Sequence, residues 1–428
     1  MLTLLKNKIY VLQYYLSAIL IKFFLKYKFF YLCSFILRFN LKKIKKIKSN
    51  NSQKRIIVLP KSGGYDDLVA SYENDKIPNS IQYFTLPRIL IKTIFHFYLS
   101  SAAYGDYLTL QKDQETVKKS NQYKFALEKI FIFLDKKWKF EGIIGFNIFY
   151  YAEHNVHEII TKIRKKSIIL HKESVVPEAE CKNNEVLYKK NEKFKGNKIS
   201  VYSNNEKKLL EKTEIAKPNQ IVVNGCARLD LAFKYQKISP NNNRILYYMI
   251  EKERFIPNEN SFVNWSNLKS KTERYLVNFA KKNPGIDIIF KGKIGVHKRE
   301  ELPQNLPSNC KFISKGAGHG LLKQAKIVIG FNSTVVYEAI AANRYLLIPN
   351  FNINTSKERE NLLDLPSTKY LVNSEKEFND KLNEFLQEEK INKQLSEEEK
   401  NILFKYFGNN DGESGSRTRK FIENTLYN

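Results

Sequence analysis

Residues 327–349, IVIGFNSTVVYEAIAANRYLLIP, restrict the fold of this chain more than any other stretch. Ile327-Val328-Ile329 is an apolar run that stops at Gly330, and Phe331-Asn332-Ser333-Thr334 is a short polar turn. Apolar residues at helical spacing follow from Val335 to Ala342, and a second apolar run, Tyr345 to Ile348, ends at Pro349. This is the pattern of a strand–turn–helix–strand unit in a parallel sheet. Ser333 or Thr334 can cap the helix, so free backbone N–H groups and the positive end of the helix dipole face out from the carboxyl edge of the sheet. Such a place suits a phosphate. Glu338 lies four residues after Thr334 on the same helical face, so a hydroxyl for phosphate and a carboxylate for ribose hydroxyls can converge.

The rest of the chain alternates in the same way. Arg55 to Leu59 predicts a buried strand, followed by the glycine-bearing loop Pro60-Lys61-Ser62-Gly63-Gly64-Tyr65-Asp66-Asp67. Residues 85–135 carry apolar side chains at helical spacing, and Gly142 to Asn147 predicts a strand ending in a polar turn. A helix with His154 and His157 leads to the strand Ser167–Leu170, which stops at His171-Lys172-Glu173-Ser174. Lys198–Ser203 predicts a strand, Glu206–Thr213 a helix, and residues 218–230 a strand entering a Gly-Cys-Ala-Arg turn. Residues 234–243, with Pro240 and three asparagines, read as a linker before further strands at 244–248, 286–290 and 311–314. At 428 residues, two domains are expected. We divide the chain into a basic aromatic segment (1–50), a first α/β domain (51–238) and a second (239–428) that includes the charged C-terminal helices.

Charge is unevenly spread. The net charge is +28, yet no Asp or Glu precedes Asp66, and the first 65 residues hold 14 Lys and Arg. Residues 9–39 contain eleven aromatics, and Lys42, Lys43, Lys45, Lys46 and Lys48 follow. The longest uncharged run, Ile9 to Ile21, is shorter than the roughly 20 residues of a spanning helix. The segment therefore reads as a helix lying in the membrane interface and held by lysines against anionic headgroups, with a single span or a buried domain helix as alternatives. No small-residue cleavage site of a signal peptide follows it. Peripheral attachment to the cytoplasmic face of the inner membrane is the expected location.

Cys33, Cys181, Cys226 and Cys310 are widely spaced and form no CxxC, which argues for neither a disulfide framework nor zinc. His154 and His157 form the only close histidine pair, without a third ligand nearby, so no metal is expected. Gly316-Ala317-Gly318-His319-Gly320 approximates a dinucleotide fingerprint, but position 321 is Leu and no acidic ribose ligand ends the next strand. NAD binding is thereby disfavoured, while Gly316 and Gly318 can still bring N–H groups to a phosphate or base.

The segment GFNSTVVYEAIAANRYLLIPNF resembles the donor-site signature of GT-B glycosyltransferases of bacterial surface and capsular polysaccharide synthesis. It is similar too in CDP-glycerol glycerophosphotransferase relatives and UDP-N-acetylglucosamine 2-epimerases. Gly225-Cys226-Ala227-Arg228-Leu229-Asp230 resembles the G-x-x-R-x-D turn of the same families, and Lys291-Gly292-Lys293, with His297 beyond, partly matches their Lys-x-His element. The resemblance implies two Rossmann-like domains with parallel sheets facing a cleft and metal-independent sugar transfer, in keeping with the absence of an Asp-x-Asp motif. It implies a nucleotide-sugar donor, bound as substrate rather than cofactor, held by Arg228, Lys291, Gly316, Gly318, Asn332, Ser333, Thr334 and Glu338. A lipid-linked or polysaccharide acceptor would lie in the first domain. There Glu173 is the first candidate for the base an inverting transfer needs, with His171 and Asp66 behind it. The element Asp411 to Arg417 also resembles these proteins, without an assignable chemistry.

Two other classes share some of these features. A CDP-alditol phosphotransferase or a nucleotide-sugar 2-epimerase would use the same scaffold, though an epimerase needs no membrane segment. Nucleic-acid binding is suggested by charge alone, and no RNA- or DNA-binding motif accompanies it.

Overall fold

The computed structural model describes residues 2–48, 54–61, 63–73, 80–100, 113–172, 175–251, 265–293, 296–302, 305–316, 318–331, 333–351, 364–365, 367–389, 391 and 394–427. Glu173 and Asn332 lie outside them. The chain divides into two compact units: residues 1–174, 184–227 and 414–428 form one, and 175–183 with 228–413 the other.

In the first unit the strands β1 (Lys42–Lys43), β2 (Arg55–Val58), β3 (Gln82–Thr85), β4 (Gly142–Gly145), β5 (Lys166–Leu170), β6 (Lys198–Val201) and β7 (Ile221–Val223) form one sheet of order β1-β3-β2-β4-β5-β6-β7. Only β1 is antiparallel to its neighbour. The fully buried runs Ile56–Val58 and Gly142–Gly145 are what a parallel sheet covered on both faces requires. Chain order along the sheet reverses between β2 and β4, so the crevice at their carboxyl ends is a topological switch point. The loop Pro60–Gly64 leaves β2 there. Gly63 has a φ of 85°, and a Cβ on Gly64 would stand 2.4 Å from the Phe146 ring, so both glycines are dictated by the turn and by its contact with the end of β4.

Helices α1 (Leu2–Lys26) and α2 (Phe30–Phe39) form a hairpin packed on α4 (Arg88–Tyr98) and α5 (Gln114–Trp138); α3 (Gly64–Ala70) lies between them in sequence. Ile21, Leu25, Cys33 and Leu37 are buried in one apolar cluster with Leu90, Ile94, Leu127 and Ile130. Buried Asn40 donates to Ser17 Oγ at 2.9 Å and accepts from Gln13 at 3.1 Å, locking the hairpin. Residues 1–50 are therefore not a separate segment. One face belongs to the first unit's core because its apolar residues recur at helical spacing opposite α4 and α5. The other face remains exposed at Tyr15, Leu16, Ile19, Phe23, Tyr27 and Phe35. Among the described residues no helix is long and apolar enough to cross a membrane.

Helices α6 (Tyr151–Lys162) and α8 (Asn204–Lys212) pack on this sheet, while α7 (Glu178–Lys190) has its first residues in the second unit and the rest in the first. In the second unit, α9 (Ala227–Tyr235) leads into β8 (Asn241–Tyr248), α10 (Trp265–Lys282), β9 (Asp287–Lys291), β10 (Cys310–Ile313), α11 (His319–Leu322), β11 (Ala325–Ile329), α12 (Val335–Ala341), β12 (Tyr345–Pro349) and β13 (Leu371–Val372). The strands are all parallel, in the order β10-β9-β8-β11-β12-β13. Renumbered within the unit this is 3-2-1-4-5-6, the doubly wound dinucleotide-fold order, whose switch point falls between β8 and β11. The strand–turn–helix–strand pattern of residues 327–349 is thus β11, α12 and β12.

Two expectations are corrected here. Arg228 sits in the first turn of helix α9 rather than in an open turn, and the compact second unit takes up the chain at 228, not 239. Helices α13 (Glu375–Gln387) and α14 (Glu397–Phe407) belong to the second unit, but α15 (Ser414–Tyr427) returns to the first. There Phe421 and Ile422 join Ile56, Val58, Ile144 and Ile168 in an apolar cluster. The reason lies at Gly225, where φ is 82° and a Cβ would fall 2.3 Å from Ser414 Oγ. The head of α15 docks on that turn, with Arg417 Nε donating to Asn224 O at 3.0 Å. Residues 414–417, within an element that sequence left without a role, serve this docking.

Candidate functional site

Three of the residues predicted for the second unit line one pocket at its switch point. Beyond the carboxyl ends of β8 and β9 lies a pocket of about 290 Å³, lined by Lys291, Gly318 and Ser333 from the expected set, by Tyr248, which sequence did not single out, and by Trp265 and Phe331, whose rings meet edge to face at 4.8 Å. Tyr248 Oη donates to Gly318 O at 2.9 Å, and a Cβ on Gly318 would stand 2.8 Å from the tyrosine ring. Gly318 is therefore needed so that Tyr248 can lie flat against the loop. Gly316 has a φ of 79° with open space beside it, consistent with a turn rather than a packing role.

Glu338, buried in α12, pairs with Arg228 across 3.1 Å between Oε1 and Nη1. Their side chains are 8% and 13% exposed. Two residues that sequence assigned separately to ribose and diphosphate thus hold each other, 110 positions apart. Burial pushes the Tyr248 hydroxyl well above its ordinary pKa, and the Glu338 carboxylate adds to the shift. Ser333 lines the pocket, and Thr334 stands at the head of α12 without a side-chain capping bond.

Lys291 ends β9 with its ammonium donating to Gly292 O at 2.9 Å and Ser314 O at 3.3 Å. Lys293 reaches Glu251 at 3.0 Å. His297, distant from the Lys-x-His spacing, is folded back to them. Its Nδ1 accepts from Lys293 N at 3.0 Å and its Nε2 donates to Ile250 O at 3.1 Å. Burial lowers its pKa below 6.5, so the ring is neutral and splints the loops after β8 and β9. Sequence offered no signal for that role, because it depends on a turn closing between residues 293 and 297.

In the first unit, Asp66 occupies the first turn of α3 and its Oδ2 accepts from Gly63 N at 3.3 Å. It is half-buried beside the switch-point loop. His171 is fully buried, with Nε2 3.4 Å from Glu206 Oε1 and its ring edge-on to Phe149. That packing leaves it no face open to an acceptor. His154 and His157 turn to different partners, Glu192 Oε2 at 3.2 Å and Ser167 Oγ at 2.8 Å. Sequence missed Asp67, which is buried and accepts from Tyr202 Oη at 2.5 Å and Cys226 Sγ at 3.5 Å, joining the ends of β6 and β7 to α3. It also missed Glu153, which is bonded to Arg88; burial nevertheless lifts its carboxyl to about 7.

No protein-family model matches the chain, and no curated protein matches it. Among solved structures it is similar to the UDP-GlcNAc 2-epimerase of Neisseria meningitidis bound to UDP-GlcNAc, at 13% identity over 88% of this chain and 100% of that one, with a TM-score of 0.45. It is similar to a glycosyltransferase from Rickettsia africae, at 16% identity over 89% and 100%, TM-score 0.42. It is also similar to the wall teichoic acid polymerase TagF, at 10% identity over 90% and 91%, TM-score 0.47.

Proposed function

We propose that the protein is a metal-independent glycosyltransferase that moves a sugar from a nucleoside diphosphate donor to a lipid-linked or polysaccharide acceptor of the cell surface. The observation that carries this reading is the Arg228–Glu338 pair, set with Tyr248, Gly318 and Ser333 at the switch point of a 3-2-1-4-5-6 sheet. That is where such sheets bind nucleotides. A guanidinium can neutralise the diphosphate as the glycosidic bond breaks, in place of a metal. Glu338, released from Arg228 by the incoming phosphates, becomes free to accept from ribose hydroxyls. Lys291 adds positive charge to the pocket wall.

The acceptor is assigned to the first unit, whose own switch point carries the Gly63-Gly64 loop and Asp66. We assign the base to Asp66 or Glu173, since His171 is sealed from solvent. The exposed aromatic face of the α1–α2 hairpin and its lysines suit attachment to an anionic membrane on the cytoplasmic side. This attachment favours transfer to a membrane acceptor over epimerisation of a soluble nucleotide sugar.

The test is calorimetric titration of the purified protein with UDP, CDP, GDP and CMP, followed by product analysis with the sugar-linked form of whichever binds. Transfer to an added lipid or polysaccharide acceptor supports the proposal. Conversion of the donor to its epimer without any acceptor, or transfer of the phosphoalditol group, replaces it with one of the alternative activities.

A further inference from the structure

The turn of the α1–α2 hairpin, the end of α4 and the first half of α5 enclose an open cavity of about 820 Å³ in the first unit. Leu25, Phe30, Tyr98, Val117 and Phe125 supply apolar wall. Lys26, Lys28 and Lys118 stand around it, and among the described residues no carboxylate lines it. An apolar concavity of this size ringed by charge of one sign has the form of a ligand site for an anionic amphiphile. Lysines that merely solvate a surface need no apolar floor beneath them. Exposed Tyr27, Phe29 and Tyr31 continue the apolar surface outward along the hairpin.

Helix α4 starts just beyond the carboxyl end of β3, and Arg88 at its start is bonded to Glu153 at the head of α6, which follows β4. The helix therefore sets out from the same sheet edge as the Gly63-Gly64 loop and Asp66. The cavity lies at the other end of this helix, beside Tyr98, with Lys26, Lys28 and Lys118 around it.

We propose that this cavity holds the hydrocarbon chain of a long-chain lipid phosphate, whose phosphate is met by the surrounding lysines. The role of that lipid as acceptor rests on the proposed function, whereas its binding does not.

The test is calorimetric titration of the full-length protein with octyl, decyl and dodecyl phosphate below their micelle concentrations. Inorganic phosphate supplies the charge without a chain, and dodecyl maltoside the chain without charge. Affinity is expected to rise about fourfold per methylene, and both controls are expected to bind at least about tenfold more weakly than dodecyl phosphate. Val117→Trp, at a position 39% exposed on α5, fills the cavity and should weaken dodecyl phosphate binding by more than about tenfold. Lys118→Glu should weaken the alkyl phosphates but not dodecyl maltoside. Affinity independent of chain length overturns the proposal, as does wild-type binding by a folded Val117→Trp protein. Should Val117→Trp not fold, the chain-length series and Lys118→Glu decide. A folded Val117→Trp or Lys118→Glu protein that loses sedimentation with anionic vesicles but binds monomeric dodecyl phosphate like wild type also overturns it, because the surface would then contact a bilayer rather than hold one lipid. Nucleotide titrations run alongside keep the two ideas apart: loss of nucleotide binding with alkyl phosphate binding intact counts against the donor pocket alone.

Discussion

Glu338→Ala separates a ligand-binding pair from a structural one. Glu338 and Arg228 are 3.1 Å apart, and both side chains are nearly buried. At an effective dielectric near 20 their attraction is about 5 kcal/mol, most of it offset by desolvation. Removing Glu338 takes a partner from the buried Arg228 charge, and complete loss of compensation costs about 3–5 kcal/mol when burial is complete. The residual exposure of Arg228 reduces the expected loss to about 2–3 kcal/mol. In a double-mutant cycle, Arg228→Met with Glu338→Ala should destabilise by less than the sum of the singles, with a coupling of about 1–3 kcal/mol. The chain has two tryptophans. In a Trp138→Phe background Trp265 alone remains, packed on Phe331 in the second unit, and its fluorescence through a urea titration reads that unit's unfolding. Nucleoside diphosphate affinity of Glu338→Ala, measured by calorimetry below the unfolding range, should fall by about 1–3 kcal/mol, the scale of a lost charged hydrogen bond. Full affinity alongside the predicted destabilisation would mean that the pair only staples α9 to α12. Additive destabilisation would refute the pairing itself.

His157 is fully buried, and burial and neighbouring His154 lower its pKa from 6.5 to about 3. The unfolded chain therefore binds a proton between pH 6.5 and 3 that the folded state refuses. Stability should fall as pH drops, by about 2 kcal/mol from this group between pH 7 and 5, and His157→Gln should flatten that slope in urea titrations at the two pH values. Gly64→Ala drives a Cβ to 2.4 Å from Phe146 and should cost about 1–3 kcal/mol, while Gly285→Ala, with open space around it, should leave the denaturation midpoint near wild type. Phe23→Ser with Phe35→Ser, both on the exposed face of the hairpin, should reduce sedimentation with anionic vesicles without changing the circular dichroism spectrum; unchanged sedimentation would remove the hairpin from membrane attachment. Ile21→Ala, on the buried face, should instead destabilise the first unit by about 2–5 kcal/mol.

Local pattern carried the sequence reading a long way. The apolar runs at 55–59, 142–145, 167–170, 286–290 and 345–348 are all strands, because a strand buried on both faces must be apolar throughout. Ser333 and Gly318 were placed at a sheet edge by the same logic, since a turn that follows a parallel strand has nowhere else to lie. The strands β1, β3 and β13 escaped notice because β1 and β13 are two residues long and β3, Gln82–Thr85, is not an apolar run. What local pattern cannot contain is the identity of a partner far along the chain. That Arg228 meets Glu338, that His171 is sealed against Glu206, and that α15 docks on Gly225 all depend on the lateral order of strands and on which helix covers which face. An amphipathic helix announces that one face will be buried, but not by what. The α1–α2 hairpin makes the point most plainly: its composition specified two apolar faces, and only packing against α4 and α5 decided which became core and which stayed exposed.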